Sequence, residues 1–418
     1  MQSTQAPTKD EFAQLMISAL HSAGQSPPID YERSSFVLRA DGDHQLFLSR
    51  CYAEYCDARE AARPHILMQY AHALVSPHEI PDTYALARPK LLPQVETLHA
   101  LHDERLDLQS GKLPPHEIFG DIFGIRIAYA LTDTITSIPE KQFSKWNMGF
   151  ANALSDARQN LRKISNEPFR VIRPGLYVSD WRDNFDAARI ILSDVVRDLS
   201  VSGDHVAIIP DRDHLFVTGS DDEDGLKHMA NEAKRVYSNS TRSITGRAIR
   251  LSRDHCIPFI LPSKHPAYRQ FRLLEYCERK DDYDSQLICL DNFYRKTEAC
   301  IFVAGFSLNE KDISSCCVWT ADIEISLPRT DYIGFVRTDP TGRDRVYGVA
   351  PWTKVLATMG NLMRKEPDMK PERFRVEQFP SRKQLAQMEV DPRGRAVKVE
   401  PAVAQRYLKA RLGHPTGA

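Results

Sequence analysis

Long apolar runs are missing from this sequence. No stretch approaches the ~18 consecutive apolar residues that a membrane-spanning helix requires. The first residues also lack the basic segment and apolar core of a secretory signal. These two absences argue against a membrane-embedded or exported chain, and we expect a cytoplasmic protein with no membrane partner.

Paired cysteine motifs are missing as well. The eight cysteines form no Cys-x-x-Cys pair, and no histidine pair follows them at zinc-finger spacing. The spacing gives no support to a zinc ribbon or a dithiol redox centre. We expect reduced thiols that pack as small hydrophobic side chains, and we predict no cofactor.

The composition is that of a folded protein, with 42% hydrophobic and 27% charged residues. The net charge is −1, but residues 337–418 hold 17 Lys and Arg against 9 Asp and Glu, and the remainder of the chain is acidic. A basic C-terminal part could meet an anionic partner or the protein's own acidic face. The candidate anion-binding residues are Arg373, Arg375, Arg382 and Lys383.

Periodic apolar patterns predict an α+β fold. Helix, β-hairpin and helix follow one another in residues 10–73, with Asp41-Gly42 as the hairpin turn, and hairpin and helix recur in residues 203–237. Apolar runs between residues 300 and 352 predict a mainly antiparallel sheet. We expect an α+β domain over 1–242, divisible into 1–120 and 121–242, an antiparallel-sheet domain over 243–390, and a basic tail over 391–418.

The densest group of acidic residues stands in the segment PDRDHLFVTGSDDEDGL. Ser220 followed three residues later by Glu223 has the spacing of a capping box, in which each side chain bonds a free backbone N–H in the first turn of a helix. Apolar residues then recur at helical spacing as far as Tyr237. The pattern favours a helix that is capped by Ser220 and Glu223.

A cation site is the alternative for the same carboxylates. Alignment with a calcium-binding loop places Ser220, Asp222 and Asp224 at ligand positions, but Asn231 stands where such a loop has glutamate. Asp222 and Asp224 are therefore the candidate metal ligands of a motif that is incomplete.

The turn before the second strand of this segment holds the candidate catalytic residues, Asp211, Arg212 and Asp213. Proline and aspartate are ordinary turn residues, but a turn does not require arginine. A buried Arg212 between the two aspartates would form a charge network.

A His- and Glu-rich region follows a predicted strand near residue 95. It contains no second histidine four residues after either His-Glu pair, so the spacing of a zinc protease motif is missing. We interpret the region as exposed loop surface. Its members are Glu96, His99, His102, Asp103 and Glu104, with the pairs His78-Glu79 and His116-Glu117.

Three segments resemble a known family. GDHVAIIPDRDHLFVTGSDDEDGL resembles a signature of the bacterial YtpQ-like family, a domain of unknown function, and WNMGFANALSDARQNL and YVSDWRDNFDAARIIL are similar to its other segments. The resemblance covers roughly residues 35–250, and the sequence beyond Gly246 departs from the short members of the family. The family implies no reaction, substrate or cofactor. The opening helix–hairpin–helix is loosely similar to secretion-chaperone-like domains, which are binding modules.

Three functions stay open. The first is a binding or adaptor protein without catalytic chemistry, whose partner is another protein. The second is a metal-dependent hydrolase or nuclease in which Asp211, Asp213 and Asp222 converge. The third is anion or nucleic-acid binding through the basic C-terminal part, although no nucleic-acid-binding signature accompanies it and we disfavour such a partner.

Overall fold

A computed structural model describes ten stretches of the chain and confirms the α+β class, with 42% helix and 27% strand. The Asp41-Gly42 turn, the His78-Glu79 pair and the tail 391–418 lie outside the described residues. The described residues are 7–24, 29–33, 36–39, 45–75, 80–107, 112–130, 135–240, 243–252, 256–338 and 344–387.

The N-terminal unit has the predicted helix–hairpin–helix order. Thr8 caps its first helix in a capping box with Glu11, and Phe12 and Leu38 are fully buried in a core of its own. Strands β1, β2 and β3 pair antiparallel in that order. The elements are α1 (Lys9–Ser22), β1 (Asp30–Glu32), β2 (Val37–Arg39), β3 (Gln45–Phe47), α2 (Leu48–Asp57) and α3 (Arg63–Val75).

A four-stranded antiparallel sheet follows, in which β6 pairs with β4, β5 and β7. Helix α7 packs against β4 and places Leu154, Ala157 and Leu161 in the core. Helices α6 and α7 are separate rather than continuous, because Asn147 adopts a φ of +50° between them. The elements are α4 (Tyr84–Ala87), β4 (Leu91–Thr97), α5 (Leu98–Asp107), β5 (Glu117–Phe119), β6 (Phe123–Ala130), β7 (Ile135–Ser137), α6 (Glu140–Lys145) and α7 (Phe150–Lys163).

A six-stranded antiparallel sheet forms the centre of the molecule. Helix α9 covers one face of it, and the other face shares a core with the four-stranded sheet. The elements are β8 (Arg170–Arg173), β9 (Leu176–Val178), α8 (Ser193–Arg197), β10 (His205–Asp211), β11 (His214–Gly219), α9 (Glu223–Asn239), β12 (Ile249–Leu251) and β13 (Cys256–Pro258), and the strand order is β13-β12-β10-β11-β9-β8.

The predicted domain boundaries fall inside these sheets. Residue 120 lies in the turn that joins the paired strands β5 and β6, so 1–120 and 121–242 are not separate units. The boundary at 242/243 separates β10 from β12, which pair directly through Val206 and Arg250. A sheet cannot be divided across hydrogen-bonded strands, because the backbone groups of both would be left unpaired.

The C-terminal part contains two further four-stranded sheets that enclose one core. Leu327 and Phe374 from one sheet, and Trp319 and Phe335 from the other, are buried there. Two strand pairs, β14–β17 and β16–β18, are parallel and the others are antiparallel, as predicted for a mainly antiparallel domain. The elements are α10 (Tyr268–Lys296), β14 (Ile301–Val303), β15 (Ser307–Asn309), β16 (Ser314–Thr320), β17 (Glu324–Pro328), β18 (Tyr332–Thr338), β19 (Asp344–Pro351), α11 (Trp352–Met359), β20 (Arg364–Lys365), β21 (Arg373–Val376) and α12 (Arg382–Gln387).

Helix α10 is 29 residues long and was not predicted. It contacts α5 and α9 on the central part of the molecule and β14 and β15 on the C-terminal part. Its buried residues include Glu278, Asp282 and Gln286 beside Leu274 and Leu290, so it has no single apolar stripe. Within the described residues, no helix combines the length and the apolar character that crossing a bilayer demands.

Candidate functional site

The turn between β10 and β11 holds the candidate catalytic residues. The carboxylate of Asp211 is buried, accepts a hydrogen bond from the backbone N–H of Asp213 at 3.0 Å, and lies 2.8 Å from Nδ1 of His214. The hydrogen bond to Asp211 raises the pKa of His214, because it favours the imidazolium. These contacts within four residues fix the conformation of the turn.

Arg212 is half-buried, not buried as predicted, and the charge network it joins reaches beyond the two flanking aspartates to another sheet. The guanidinium of Arg212 donates to Oε1 of Glu96 on β4 at 3.1 Å. Arg126 on β6 pairs with the other oxygen of Glu96 at 3.3 Å and with Glu104 on α5 at 2.5 Å. The network therefore ties the six-stranded sheet to the four-stranded sheet.

The helix cap is Asp222, not the predicted pair Ser220 and Glu223. The Asp222 carboxylate accepts from the backbone N–H of Gly225 at 2.8 Å, and helix α9 begins at Glu223. Ser220 accepts instead from the backbone N–H of Asp204 at 2.9 Å. The prediction was wrong by two residues because the turn after β11 stays bonded to the loop before β10.

The carboxylates proposed for a metal or hydrolase site do not converge. Asp211 ends β10, Asp213 directly precedes β11, and Asp222 follows the end of β11, so the six residues of that strand separate Asp222 from the other two by roughly 20 Å. Asp224 is exposed, with Arg173 3.9 Å away. No group of three or more metal-ligating side chains occurs anywhere in the described stretches.

Two of the four candidate anion-binding residues are internal. Arg373 is fully buried, and its guanidinium donates to Oε1 of Gln286 at 2.6 Å and to the carbonyl oxygens of Ala304, Ser326 and Tyr283. Burial lowers the pKa of Arg373 to about 10, because a low-dielectric surrounding disfavours the charged form. Its prediction as a surface anion ligand was wrong.

Arg375 is also engaged within the protein. It pairs with Glu366 at 2.6 Å and with Glu324 at 2.9 Å. Arg382 and Lys383, at the start of α12, are exposed as an anion-binding role would require. The basic surplus of the C-terminal part is therefore only partly presented to solvent.

The interpretation as exposed loop was wrong for the part of the His- and Glu-rich region between Glu96 and Glu104, since Glu96 lies on β4 and residues 98–107 form α5, which packs against α10. Nδ1 of His99 lies 2.9 Å from the carbonyl oxygen of Lys370, and its Nε2 lies 3.1 Å from Asp103 and 3.6 Å from Asp282. Nδ1 faces a carbonyl oxygen and Nε2 faces the carboxylate of Asp103, and both groups accept hydrogen bonds. This geometry favours a proton on each ring nitrogen and a positive charge on His99, whose side chain is 10% exposed.

Electrostatics support this protonation state. Burial alone would lower the pKa of His99, but Asp282, Asp103 and the Lys370 carbonyl outweigh it and raise the pKa to about 9. Burial raises the pKa of Asp282 to about 7 against the opposing effect of His99. The cluster is a clamp in which a helix of the central part, α10 and the segment before β21 meet.

One turn earlier on α10, Glu278 accepts several hydrogen bonds at full burial. Its donors are the Thr245 hydroxyl at 2.6 Å, the backbone N–H groups of Gly246 and Arg247, and the Arg247 guanidinium at 2.5 Å. A carboxylate with this many donors has its acceptor capacity filled. Glu278 therefore anchors α10 to the segment before β12.

The outer edge of the six-stranded sheet carries a different kind of surface. Strand β8 pairs with β9 alone among the described strands. Val171 is 57% exposed and Ile172 is 37% exposed, and Arg170 and Arg173 flank them. An edge strand with free backbone groups and bare aliphatic side chains is a template for another strand.

Sequence patterns could have revealed β8 but not the clamp. RVIR before Pro174-Gly175 is a short β-branched run that ends in a turn signal. The clamp joins α5 and α10 from nearly 180 residues apart, and no spacing rule connects them.

Comparisons with known proteins give no relative. A scan with protein-family models, a search of curated proteins and a search of solved structures each found no match. The resemblance to the YtpQ-like family stays an expectation from the sequence.

Proposed function

We propose that this chain is a cytoplasmic binding protein without chemistry of its own, and that it binds an extended acidic segment of another protein by pairing it with strand β8. The observation that carries this proposal is the exposure of Val171 and Ile172 on an edge strand. In strand addition the backbone of the edge supplies hydrogen bonds, and alternate side chains supply selectivity.

The charges around β8 support an acidic partner. Arg170 lies 3.2 Å and Arg182 lies 2.9 Å from the same carboxylate, that of Asp180, so two cations share one anion. The guanidinium of Arg173 lies 2.9 Å from Nδ1 of His228, and the nearest carboxylate to it, that of Asp224, is 3.9 Å away. The edge therefore keeps positive charge, which attracts acidic side chains and disfavours basic ones.

The length of the edge limits the partner. Pro168 precedes β8 and Pro174 follows it, and proline cannot donate a ladder hydrogen bond. The strand itself has four residues. A partner segment should therefore pair over about four residues, and affinity should be modest and depend strongly on its side chains.

Parallel selection of random displayed peptides tests the proposal. The immobilised protein and its Val171→Asp variant receive the same library, and an Ile288→Asp variant, changed at an exposed position of α10, serves as control. We expect peptides with alternating acidic and apolar residues on the protein and the control, but not on Val171→Asp. Identical selections on all three proteins would contradict the proposal.

A further inference from the structure

A second surface feature is an open cavity of about 650 Å³ on the four-stranded sheet, between the turn at residues 88–90 and the last turns of α7. This volume is in the range of small-molecule sites in proteins. The wall is held in place by Asn160, whose amide nitrogen donates to the carbonyl oxygens of Arg88 at 2.7 Å and Leu91 at 3.0 Å. The cavity is therefore formed before any ligand arrives.

The charges that line the cavity are mainly positive. Arg88, Lys90 and Lys163 face a single carboxylate, Asp156. That carboxylate is already engaged, because the Tyr84 hydroxyl donates to it at 2.6 Å and Arg88 pairs with it at 2.8 Å.

The two lysines keep their charge available. Hydrogen bonds from Tyr84 and Arg88 lower the pKa of Asp156 and keep it ionised and held on the wall. Within the described part of the chain, no carboxylate lies in ion-pair distance of Lys90 or Lys163. Lys163 also lowers the pKa of Asp156 from a longer distance, and Lys90 lies 5.9 Å from the centre of the Tyr129 ring, so neither lysine forms a direct ion pair with the cavity's own carboxylate.

Apolar surface lies beside these charges. Leu92 and Ala130, at the ends of β4 and β6, and Ile164, after α7, line the same cavity. Ile164 is 44% exposed, which leaves aliphatic surface in contact with water. A ligand that covers Ile164 gains the hydrophobic free energy of that surface.

We propose that this cavity binds a small organic anion whose carboxylate, phosphate or sulfonate group lies between Lys90 and Lys163 and whose apolar body covers Ile164 and Leu92. Neither part is sufficient alone: the lysines are exposed and bind a bare anion weakly, and the apolar surface is small. The site differs from the β8 edge in position and in ligand class, so it does not depend on the proposed peptide binding.

Fluorescence titration with 8-anilinonaphthalene-1-sulfonate, an organic anion with an apolar body, tests the proposal. We expect saturable binding that Lys90→Glu and Lys163→Glu each weaken by about tenfold or more, since a charge-assisted hydrogen bond is lost and a repulsion is added. Ile164→Ser should weaken it severalfold. Lys264→Glu, an exposed lysine outside the cavity, is the matched control and should bind as the unchanged protein does.

Competition separates the two parts of the ligand. Decanoate should displace the probe at concentrations at least about tenfold below those at which inorganic phosphate does, because only decanoate covers the apolar surface. Equal binding by the unchanged protein and all three cavity variants would overturn the proposal, since the probe would then be adsorbed elsewhere. Equal displacement by phosphate and decanoate would overturn the role of the apolar wall.

Discussion

Strands β8 and β21 have nearly the same composition and opposite environments. β8 reads RVIR and β21 reads RFRV, each with two arginines and two apolar residues. Arg373 and Phe374 in β21 are buried, and the guanidinium donates only to protein oxygens. Arg170 and Val171 in β8 are exposed at the edge of a sheet.

The difference teaches that position in the sheet, and not residue type, decides the role of a basic strand. β21 lies between β17 and β20 and its arginines meet α10, whereas β8 ends its sheet. An arginine thus forms buried hydrogen bonds within the protein in one strand and lies on the surface in the other. Four predictions test the internal contacts and the exposed edge, from the largest expected effect to the smallest.

Replacement of Arg373 should have the largest effect. Arg373→Met removes the donor to Oε1 of Gln286 and to the carbonyl oxygen of Ala304, and one of the two donors to the carbonyl oxygen of Ser326, all of them buried, so we expect a loss of about 3–5 kcal/mol in unfolding free energy. Arg170→Met, the matched change in β8, should cost less than about 1 kcal/mol. Urea unfolding followed by tryptophan fluorescence measures both, since Trp319 and Trp352 lie in the C-terminal core and Trp146 lies in the core beside the six-stranded sheet. Equal losses of unfolding free energy in the two variants would contradict the difference in role between β21 and β8.

The pH dependence of the His99 clamp should come next. In the folded protein the pKa of His99 is raised from 6.5 to about 9. The contribution of His99 to stability is therefore complete below pH 6.5 and is lost as pH rises through 9. We expect about 2 kcal/mol to disappear between pH 7 and pH 9. The pKa of Asp282 is raised from 3.8 to about 7, so its contribution to stability is lost over a lower range, as pH rises from 3.8 toward 7.

Urea unfolding at closely spaced pH values measures this loss. In the double variant His99→Gln, Asp282→Asn the fall between pH 7 and pH 9 should be absent, because neither side chain titrates; in His99→Gln alone the pKa of Asp282 would rise into this range, since His99 lowers it. A variant whose stability falls as steeply as that of the unchanged protein would show that another group is responsible.

The effect of Val171→Asp on peptide affinity should be smaller than the loss of stability at high pH and larger than the effect of the helix cap. A peptide selected on the protein should bind Val171→Asp at least about tenfold more weakly, because the acidic side chain replaces apolar contact with repulsion. The unfolding free energy of that variant should change by less than about 1 kcal/mol, since the residue is exposed. Fluorescence anisotropy with the labelled peptide measures the first and urea unfolding the second. Unchanged affinity in Val171→Asp would mean that the peptide binds elsewhere.

The cap of α9 should give the smallest effect. Asp222→Ala removes the acceptor for the Gly225 N–H and should cost about 1 kcal/mol. Glu223→Ala, at the other end of the predicted capping box, should cost only a few tenths of a kcal/mol, through the helix dipole. Thermal or urea unfolding measures both variants. The opposite order of stability would support the predicted capping box of Ser220 and Glu223.

The sequence predicted elements whose pattern is local and one-sided. Helices α1 and α9 and the hairpin β10–β11 were predicted because their apolar residues repeat at the period of a surface element. Helix α10 escaped because it is covered on several sides, so polar Glu278, Asp282 and Gln286 occupy buried positions. A helix that packs against several elements has no solvent-exposed face, so its apolar and polar residues do not alternate with the helical period.

Candidate sites were harder to predict than elements. Asp211, Arg212 and Asp222 were selected from one dense charged segment. Asp211 and Asp222 bond to groups two or three residues away and shape local turns, whereas Arg212 bonds to Glu96 on a distant strand, which its neighbours in the sequence do not reveal. His99 and Asp103 stood in a region interpreted as loop, although their partners on α10 and before β21 make them a buried cluster. Burial of polar residues depends on contacts between distant segments, and a single sequence does not show those contacts.

Backbone amide hydrogen exchange tests the central claim most directly. With a selected peptide bound, amides of residues 170–173 should exchange at least about tenfold more slowly, because the added strand covers the free edge. Amides of residues 373–376 should keep the rates that they have in the free protein. Equal exchange at 170–173 with and without the peptide would contradict the assignment of β8 as the binding edge.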